Sequence, residues 1–133
     1  MYTIEVPTRS RTQFVEITDR LRDLVIKSGM TNGALMLYVP HTTAGCTINE
    51  NADPDVVRDM TMFIDELVPQ SPKFRHAEGN SDSHLKASFF GSSLLFPIDG
   101  GKLVLGRWQG VYFCEFDGPR KRQAFVTLLA GHA

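Results

Sequence analysis

Residues 53–69 read DPDVVRDMTMFIDELVP and carry the clearest helical pattern in the chain. Asp53 stands where a helix N-cap is expected, and Pro54 suits the first turn, where its missing amide hydrogen costs nothing. An apolar stripe at helical spacing follows until Pro69 ends the helix. Its members are Val56, Val57, Met60, Phe63, Ile64 and Leu67. We therefore predict a helix that packs this stripe into the core.

Strands are predicted on both sides of this helix, from apolar–polar alternation and short apolar runs. They cover residues 2–6, 13–17, 33–39, 94–98, 102–105, 110–116 and 123–129. A second helix is predicted to start at Thr18 and Asp19, whose side-chain oxygens can accept free amides, and to end at Gly29. Strands at both ends with two main helices between them predict one compact α+β domain over residues 1–133, built on antiparallel or mixed sheets.

The composition excludes several classes of protein. The chain is 42% hydrophobic and 22% charged with a formal net charge of -1, whereas a nucleic-acid-binding domain is usually visibly basic. Cys46 and Cys114 are too few for a disulfide framework and are interpreted as reduced, partly buried thiols. The first ten residues lack a signal-peptide pattern, and no apolar run approaches the roughly eighteen residues of a membrane span. We therefore expect a cytoplasmic protein with neither a membrane nor a nucleic acid as partner.

Two polar clusters lie close to the predicted helix. His41 follows a predicted strand in HTTAG (41–45) and combines a base or metal ligand with the hydroxyls of Thr42 and Thr43. The alternative is a strand-end turn whose hydroxyls bond nearby backbone. Glu50 in NENAD (49–53) suits Mg²⁺ or proton transfer, because hard cations prefer carboxylate and amide oxygens. Asp53 is better explained as the helix cap.

Residues 76–86 read HAEGNSDSHLK, with a proton-active or metal-competent side chain at every second position. In an extended segment, side chains two residues apart point to the same side. His76, Glu78, Asn80, Asp82 and His84 would then share a face, and His41 could add a third ligand. The alternative is a solvated loop that carries two histidines.

The fourth cluster is GRWQG (106–110), followed by GPRKR (118–122). Trp108 and Gln109 between two glycines can line a cleft, or Trp108 can pack in the core at a strand bend. The three consecutive cations after the Gly-Pro turn can bind phosphate or form a solvated basic turn.

These segments together resemble the YjbQ family, which is associated with a secondary thiamine-phosphate synthase activity. The matching text is PHTTAGCTINENADPDV, then HAEGNSDSHLKAS, then GRWQGVYFCEFDGPRKRQ, in the same order and spacing. The resemblance implies a compact α+β fold and a homotrimer with its candidate site near the subunit interface. It also implies the joining of a pyrimidine pyrophosphate to a thiazole phosphate with release of pyrophosphate.

The resemblance also implies roles for individual residues. Glu50, His41 and Gln109 are the expected catalytic residues. A divalent metal, Zn²⁺ or Mg²⁺, is expected at His41, His76 and His84. The groups expected to bind a small phosphorylated metabolite are Thr42, Thr43, Asn80, Lys86, Trp108 and Arg120. Asp82 falls where the family pattern is loose, so it is not expected to be a ligand.

Two other functions compete with the synthase. In a metal-dependent hydrolase, His41, His76 and His84 would hold Zn²⁺ while Glu50 or Glu78 activates water. In a binding protein, the same residues would sense a metal or a phosphorylated metabolite without turning it over.

Overall fold

The computed structural model describes residues 1–132, which form eight β-strands and three α-helices. In chain order these are β1 (Tyr2–Pro7), β2 (Gln13–Glu16), α1 (Thr18–Ser28), β3 (Asn32–Tyr38), β4 (Ala44–Glu50), α2 (Pro54–Leu67), α3 (Ser81–Phe90), β5 (Ser93–Asp99), β6 (Lys102–Leu103), β7 (Gln109–Glu115) and β8 (Lys121–Ala130). The predicted α+β class is confirmed. No helix within residues 1–132 is long and apolar enough to cross a bilayer.

The strands form two antiparallel sheets. The large sheet has the strand order β1-β8-β3-β5-β6, and the small sheet has the order β2-β7-β4. The turn at Asp99–Lys102 joins β5 to β6, as the glycines at positions 100 and 101 predict, and both glycines have positive φ.

The main core lies against one face of each sheet and includes α1. Alternation in β3 sends Leu35 and Leu37 into it, and β7 contributes Val111 and Phe113. The residues of β7 that alternate with these two, among them Cys114, point to the opposite face of the small sheet and pack under α2 and α3. The small sheet is therefore buried on both faces, and both cysteines are free and buried, as predicted.

The start of α1 differs from the prediction. Thr18 begins the helix, but no side chain caps its first turn. The Thr18 hydroxyl instead donates to Glu16 Oε2 at 2.8 Å and accepts the amide of Val111 at 2.8 Å. Gly29 ends the helix in the left-handed conformation, as predicted, with φ of 70°.

The predicted N-cap of α2 is confirmed, since the Asp53 side chain accepts a hydrogen bond of 2.9 Å from the backbone amide of Asp55. The prediction that its whole apolar stripe is core is wrong. Ile64 is buried, but Phe63 is 57% exposed and Leu67 is exposed as well. Of the stripe, only Ile64 and the partly buried Val57 and Met60 pack against the core beneath α2.

Two elements were not predicted at all. Strand β4 carries the chain from the HTTAG segment to Glu50 along the edge of the small sheet. Helix α3 occupies Ser81–Phe90, so the prediction that residues 76–84 are extended and share one face is wrong. There are three helices rather than two main ones.

The outer face of the large sheet is apolar and uncovered among residues 1–132. Met36, Tyr38, Leu95 and Leu129 are exposed on it. Met36 and Leu95 are direct cross-strand partners, so their side chains form one continuous surface.

Candidate functional site

His41 lies just beyond the end of β3, the central strand of the large sheet. Pro40 has no backbone N–H, so the chain cannot continue the ladder with β8 there. The His41 ring takes the place of a strand neighbour, because Nε2 lies 3.1 Å from both the amide nitrogen and the carbonyl oxygen of Gln123. The histidine is thereby held against the β8 backbone.

The surroundings of His41 keep its imidazole neutral at neutral pH. Burial is the main cause of its lowered pKa, and the nearby Arg122 guanidinium lowers it further. With Nε2 against the Gln123 backbone, Nδ1 is the ring nitrogen left to meet a ligand or a proton.

His41 and His84 line the same open cavity of about 480 Å³. His41 comes from the end of β3 and His84 from α3, and the hydroxyl residues of the wall are Thr42, Ser88 and Ser92. No carboxylate and no Lys or Arg is among the lining residues. Two of the three predicted histidines are thus brought together in a setting rich in hydroxyls.

His76 approaches from the loop between α2 and α3. Its ring lies edge-on to that of His84, with centroids 5.2 Å apart and an interplanar angle of 88°. Glu78 Oε2 is 4.0 Å from His76 Nε2, and both side chains are exposed. His76 is therefore adjacent to the cavity through His84 rather than part of its wall.

Behind the cavity lies a buried ion pair that we name the Glu115–Arg122 network. Arg122 Nε lies 2.9 Å from Glu115 Oε1, and a terminal guanidinium nitrogen lies 2.5 Å from Oε2. The same guanidinium donates to the Thr43 hydroxyl at 2.8 Å. Thr8 adds a hydrogen bond of 2.7 Å to Glu115. The network therefore fixes the HTT segment in place, and it explains why Thr43 is buried instead of facing the cavity.

Sequence reasoning placed neither Glu115 nor Arg122 in this role. The strand prediction began at residue 123 and treated Arg122 as part of a basic turn. Extending the β8 alternation back from Ala124 puts Arg122 on the buried face, which was the available signal. Burial is the largest single influence on the pKa of Glu115 and raises it. The hydrogen bonds from Arg122, Thr8 and the Asp117 amide, together with the Arg122 charge, outweigh burial, so the pKa of Glu115 is lowered.

A second buried charge network surrounds the first turn of α3, and we name it the Asp82–Lys86 network. Lys86 Nζ lies 2.7 Å from Asp65 and 3.6 Å from Asp82, and its side chain is only 3% exposed. Arg11 binds the other side of Asp82 at 3.1 Å. Asp82 is thus a buried structural carboxylate, and the Lys86 ammonium is already occupied by two carboxylates.

Asn80 and Arg120 meet at Asp117. Asn80 Nδ2 donates to Asp117 Oδ2 at 2.8 Å, and Arg120 pairs with the same oxygen at 2.9 Å. Asn80 Oδ1 is buried and has no hydrogen-bond partner among residues 1–132. The structure therefore places the predicted phosphate contact Arg120 in an ion pair and leaves a free acceptor on Asn80.

Glu50, Trp108 and Gln109 lie at the other end of the small sheet. Glu50 is the register partner of Gln109 at the end of the β4–β7 ladder. Gln109 Oε1 accepts the amide of Gly106 at 2.7 Å and so closes the turn. Trp108 is 55% exposed, with the Arg107 guanidinium carbon 4.9 Å from its ring centroid. The alternative that Trp108 packs in the core is wrong.

Known proteins match this chain in sequence and in fold over nearly its whole length. Residues 2–131 match the family described as UPF0047 protein YjbQ-like. The chain belongs to the YjbQ family. It is 45% identical over 128 residues to the UPF0047 protein YugU of Bacillus subtilis, covering 96% of this chain and 97% of that protein. A UPF0047 protein of Methanocaldococcus jannaschii is 44% identical and covers 97% of this chain and 94% of its own length.

Solved YjbQ-family structures share the fold. An uncharacterized conserved protein of the family from Clostridium acetobutylicum matches with a TM-score of 0.94 at 47% identity, over 97% of this chain and all of that one. A YbjQ-like protein of unknown function from Sulfolobus solfataricus matches with a TM-score of 0.93 at 35% identity, over 98% of this chain and 96% of that one. The two-sheet architecture described here is therefore that of the family.

The cavity lined by His41 and His84 in this YjbQ-family chain meets some requirements of a binding site for a divalent metal. Neutral imidazole is the form of histidine that binds metals, and His41 is neutral with Nε2 held by backbone. Among residues 1–132, no group of three or more His, Cys, Asp and Glu side chains converges closely enough to hold a metal. His41 and His84 would therefore hold only part of a coordination shell within one chain.

The thiol near this cavity does not act as a nucleophile. Burial raises the pKa of Cys46 to about 12, so the thiolate is scarcely populated at neutral pH. Cys46 is instead a packing residue of the main core, where it is almost fully buried.

Proposed function

We propose that this YjbQ-family protein is an enzyme whose reaction centre is the cavity between His41 and His84. The observation that carries the proposal is the convergence of these two side chains, from separate elements, in one open cavity with Thr42 and Ser88. Imidazole and hydroxyl groups at a cavity wall can accept, donate and relay protons. The rest of the fold holds His41 in place through Gln123 and through the Glu115–Arg122 network behind it.

A divalent metal, Zn²⁺ or Mg²⁺, fits the proposal. His41 and His84 would hold it, and His76 would support His84 from the neighbouring loop. When bound, such an ion supplies positive charge that stabilises a phosphate-bearing leaving group. That charge is needed because Lys86 and Arg120, the expected phosphate contacts, are already paired with carboxylates.

The reaction we propose first is the one the family resemblance implies, a secondary thiamine-phosphate synthase activity. A pyrimidine pyrophosphate would be joined to a thiazole phosphate, and pyrophosphate would leave. The protein's part is to position both reactants and to stabilise the departing charge. His41 borders a second cavity of about 460 Å³, lined also by Lys121 and Gln123. Two cavities that share His41 suit a reaction of two substrates.

The test is turnover of purified protein with both substrates and added Zn²⁺ or Mg²⁺, measured as thiamine phosphate and pyrophosphate formed. His84→Ala is expected to abolish turnover. His132→Ala is the matched control, since His132 is an exposed histidine outside this cavity. Full activity of His84→Ala, or loss of activity in both variants, would contradict the proposal.

A metal-dependent hydrolase is the second candidate. The absence of Lys and Arg from the cavity wall favours it, because a neutral wall leaves a bound metal as the main positive charge. Hydrolysis of phosphate monoesters by the wild type, lost in His84→Ala and kept in His132→Ala, would select this reaction. Ligand binding at the cavity without turnover of any tested substrate would select the binding protein instead.

We also propose that the protein acts as a homotrimer in the cytoplasm. The uncovered apolar face of the large sheet, centred on Met36 and Leu95, supports assembly, since monomers rarely expose a large continuous apolar surface. Two free, buried cysteines fit a reducing compartment.

A further inference from the structure

The segment between α2 and α3 is held firmly at its two ends. Val68 is buried after the last turn of α2, and its amide donates to the Ile64 carbonyl at 3.1 Å. Asn80 is buried at the start of α3 and donates to Asp117. Between these two anchors, every residue is exposed except Ser71, which is half-buried. We name the segment between the anchors the 69–79 loop.

The hydrogen bonds of the 69–79 loop are made within the loop itself. The Phe74 amide donates to the Ser71 carbonyl at 3.2 Å, and the Gly79 amide donates to the His76 carbonyl at 3.1 Å. Each bond closes a tight turn, and Arg75 lies between the two turns. Among residues 1–132, no backbone hydrogen bond ties this loop to a helix or a strand. A segment with an exposed backbone and fixed ends can change position at little cost in free energy.

The 69–79 loop reaches the rim of the cavity lined by His41 and His84. The His76 ring lies edge-on to the His84 ring, with centroids 5.2 Å apart, and His84 is part of the cavity wall. Consecutive Cα atoms are about 3.8 Å apart, so Arg75 is a single residue away from this contact. Lys73 follows two residues further along the loop.

The loop carries the charge that the cavity wall lacks. No Lys or Arg lines the cavity, and two of the expected phosphate contacts, Lys86 and Arg120, are paired with carboxylates. Lys73 and Arg75 are exposed, and neither takes part in an ion pair among residues 1–132. The carboxylate of the loop, on Glu78, lies beside His76 instead. Both loop cations are therefore available to an anion.

We propose that the 69–79 loop is a lid that closes over this cavity, and that Lys73 and Arg75 on it bind the phosphate groups of the substrate. The inference rests on the proposed function, because it assigns phosphate-binding residues to the same site. The planar guanidinium of Arg75 would bind two phosphate oxygens, and the Lys73 ammonium would add a point charge. Closure would also exclude water, which strengthens each of these contacts.

Limited digestion with trypsin tests the closure, because Lys73 and Arg75 are themselves the trypsin sites of the loop. Inorganic pyrophosphate serves as the probe. We expect the wild type to be cut first after these two residues, since exposed loops are cleaved before helices and strands. Saturating pyrophosphate is expected to slow this cleavage at least about fivefold, because proteolysis follows the population of the open form.

Ser88→Trp is the control for the place of closure. Ser88 is an exposed residue of α3 on the cavity wall, so a large ring there fills the cavity without entering the core. This variant should be cut at the same rate with and without pyrophosphate, which also excludes an effect of pyrophosphate on trypsin. Equal protection of Ser88→Trp, or no protection of the wild type, overturns the inference.

A matched pair of charge variants tests the two cations. Lys73→Gln with Arg75→Gln is expected to weaken pyrophosphate binding at least about tenfold in isothermal titration calorimetry, because contacts to charged groups are lost. Lys27→Gln with Arg58→Gln removes the same charge from exposed positions of α1 and α2 outside the cavity wall and should bind as the wild type does. Equal affinities of the two double variants would contradict the assignment.

Turnover separates this inference from the proposed function. If the protein forms thiamine phosphate, Lys73→Gln with Arg75→Gln should lower kcat/KM at least about tenfold. An unchanged kcat/KM would end the lid proposal and leave the enzyme proposal standing. Pyrophosphate bound through the two loop cations, by a protein that turns over no tested substrate, would leave the lid standing and end the enzyme proposal.

Discussion

Arg122 is the residue on which the geometry around the cavity depends most. Its guanidinium binds Glu115 and Thr43 together and is buried. Removing one member of a buried ion pair leaves the other charged and desolvated. Few single side chains in the chain connect as many segments.

Arg122→Ala is expected to lower the free energy of unfolding by about 3–5 kcal/mol, because Glu115 would be left buried without its partner. Urea denaturation followed by circular dichroism measures the change. Lys121→Ala, at the neighbouring exposed position, is expected to change stability by no more than about 0.5 kcal/mol. Similar losses in the two variants would show that the ion pair is not the cause.

Glu115 also predicts how stability depends on pH. Its pKa is lowered in the folded protein from the usual value of 4.5, so the unfolded chain binds the proton more readily. The contribution to stability is complete above about pH 4.5 and is lost as the pH falls toward the lower folded pKa. Thr8→Val removes a hydrogen bond that helps to lower this pKa. It should therefore reduce the loss of stability across this acidic range, measured by urea midpoints at successive pH values. An unchanged acid-dependent loss would contradict this role of Thr8.

Sequence reasoning selected His41 and His84 because a histidine beside hydroxyl groups is a candidate for proton or metal chemistry, and the structure places both on one cavity wall. It did not identify the buried residues that position them. The roles of Lys86 and Arg120 were not predictable, because a cation in a sequence looks the same whether it is free or paired. Only the fold shows that Asp65, Asp82 and Asp117 already bind them.

Helix α3 shows why one element escaped detection. Its buried residues include Asp82, Ser83 and Lys86, whereas Leu85 and Phe89 are exposed. Helix prediction relies on apolar residues facing inward and polar residues facing outward. This helix reverses part of that pattern, because ion pairs and hydrogen bonds attach its first turns to the rest of the fold. Helix α2, with a capping aspartate and a wide apolar stripe, was predictable for the opposite reason.

Asp82→Ala tests this account of α3. It removes the carboxylate shared by Arg11 and Lys86 and leaves Lys86, a buried ammonium, with Asp65 alone. We expect a loss of about 3 kcal/mol in the free energy of unfolding, measured by chemical denaturation. Ser81→Ala, one residue earlier in the helix, is the control and should change little. Wild-type stability in Asp82→Ala would mean that the buried charges do not hold the helix.

Across the whole molecule, the outer face of the large sheet is the feature that a single chain does not account for. Its exposed apolar residues alternate with core residues along the same strands, so the sheet is apolar on both sides at its centre. Alternation predicted β3 as a strand but not its apolar outward positions, which under the proposed assembly form a surface that meets another subunit.

Leu95→Glu tests this assembly surface. Leu95 is 65% exposed and pairs with Met36, so a carboxylate there would have to be desolvated on association. We expect dissociation to monomers by analytical ultracentrifugation. Ile26→Glu is the matched control, since Ile26 is 68% exposed on α1 and is not on this face. Assembly that survives Leu95→Glu would exclude the large sheet as the interface.

Trp108 can serve as an intrinsic fluorescent probe, because of its number in the chain and its position in the fold. It is the single tryptophan of the chain, and it lies exposed beside the strand that ends at Glu50. Light absorbed selectively by indole is therefore emitted from one known place on the surface. The wavelength of maximum tryptophan fluorescence therefore reports, without any added label, whether this end of the protein faces water or another subunit.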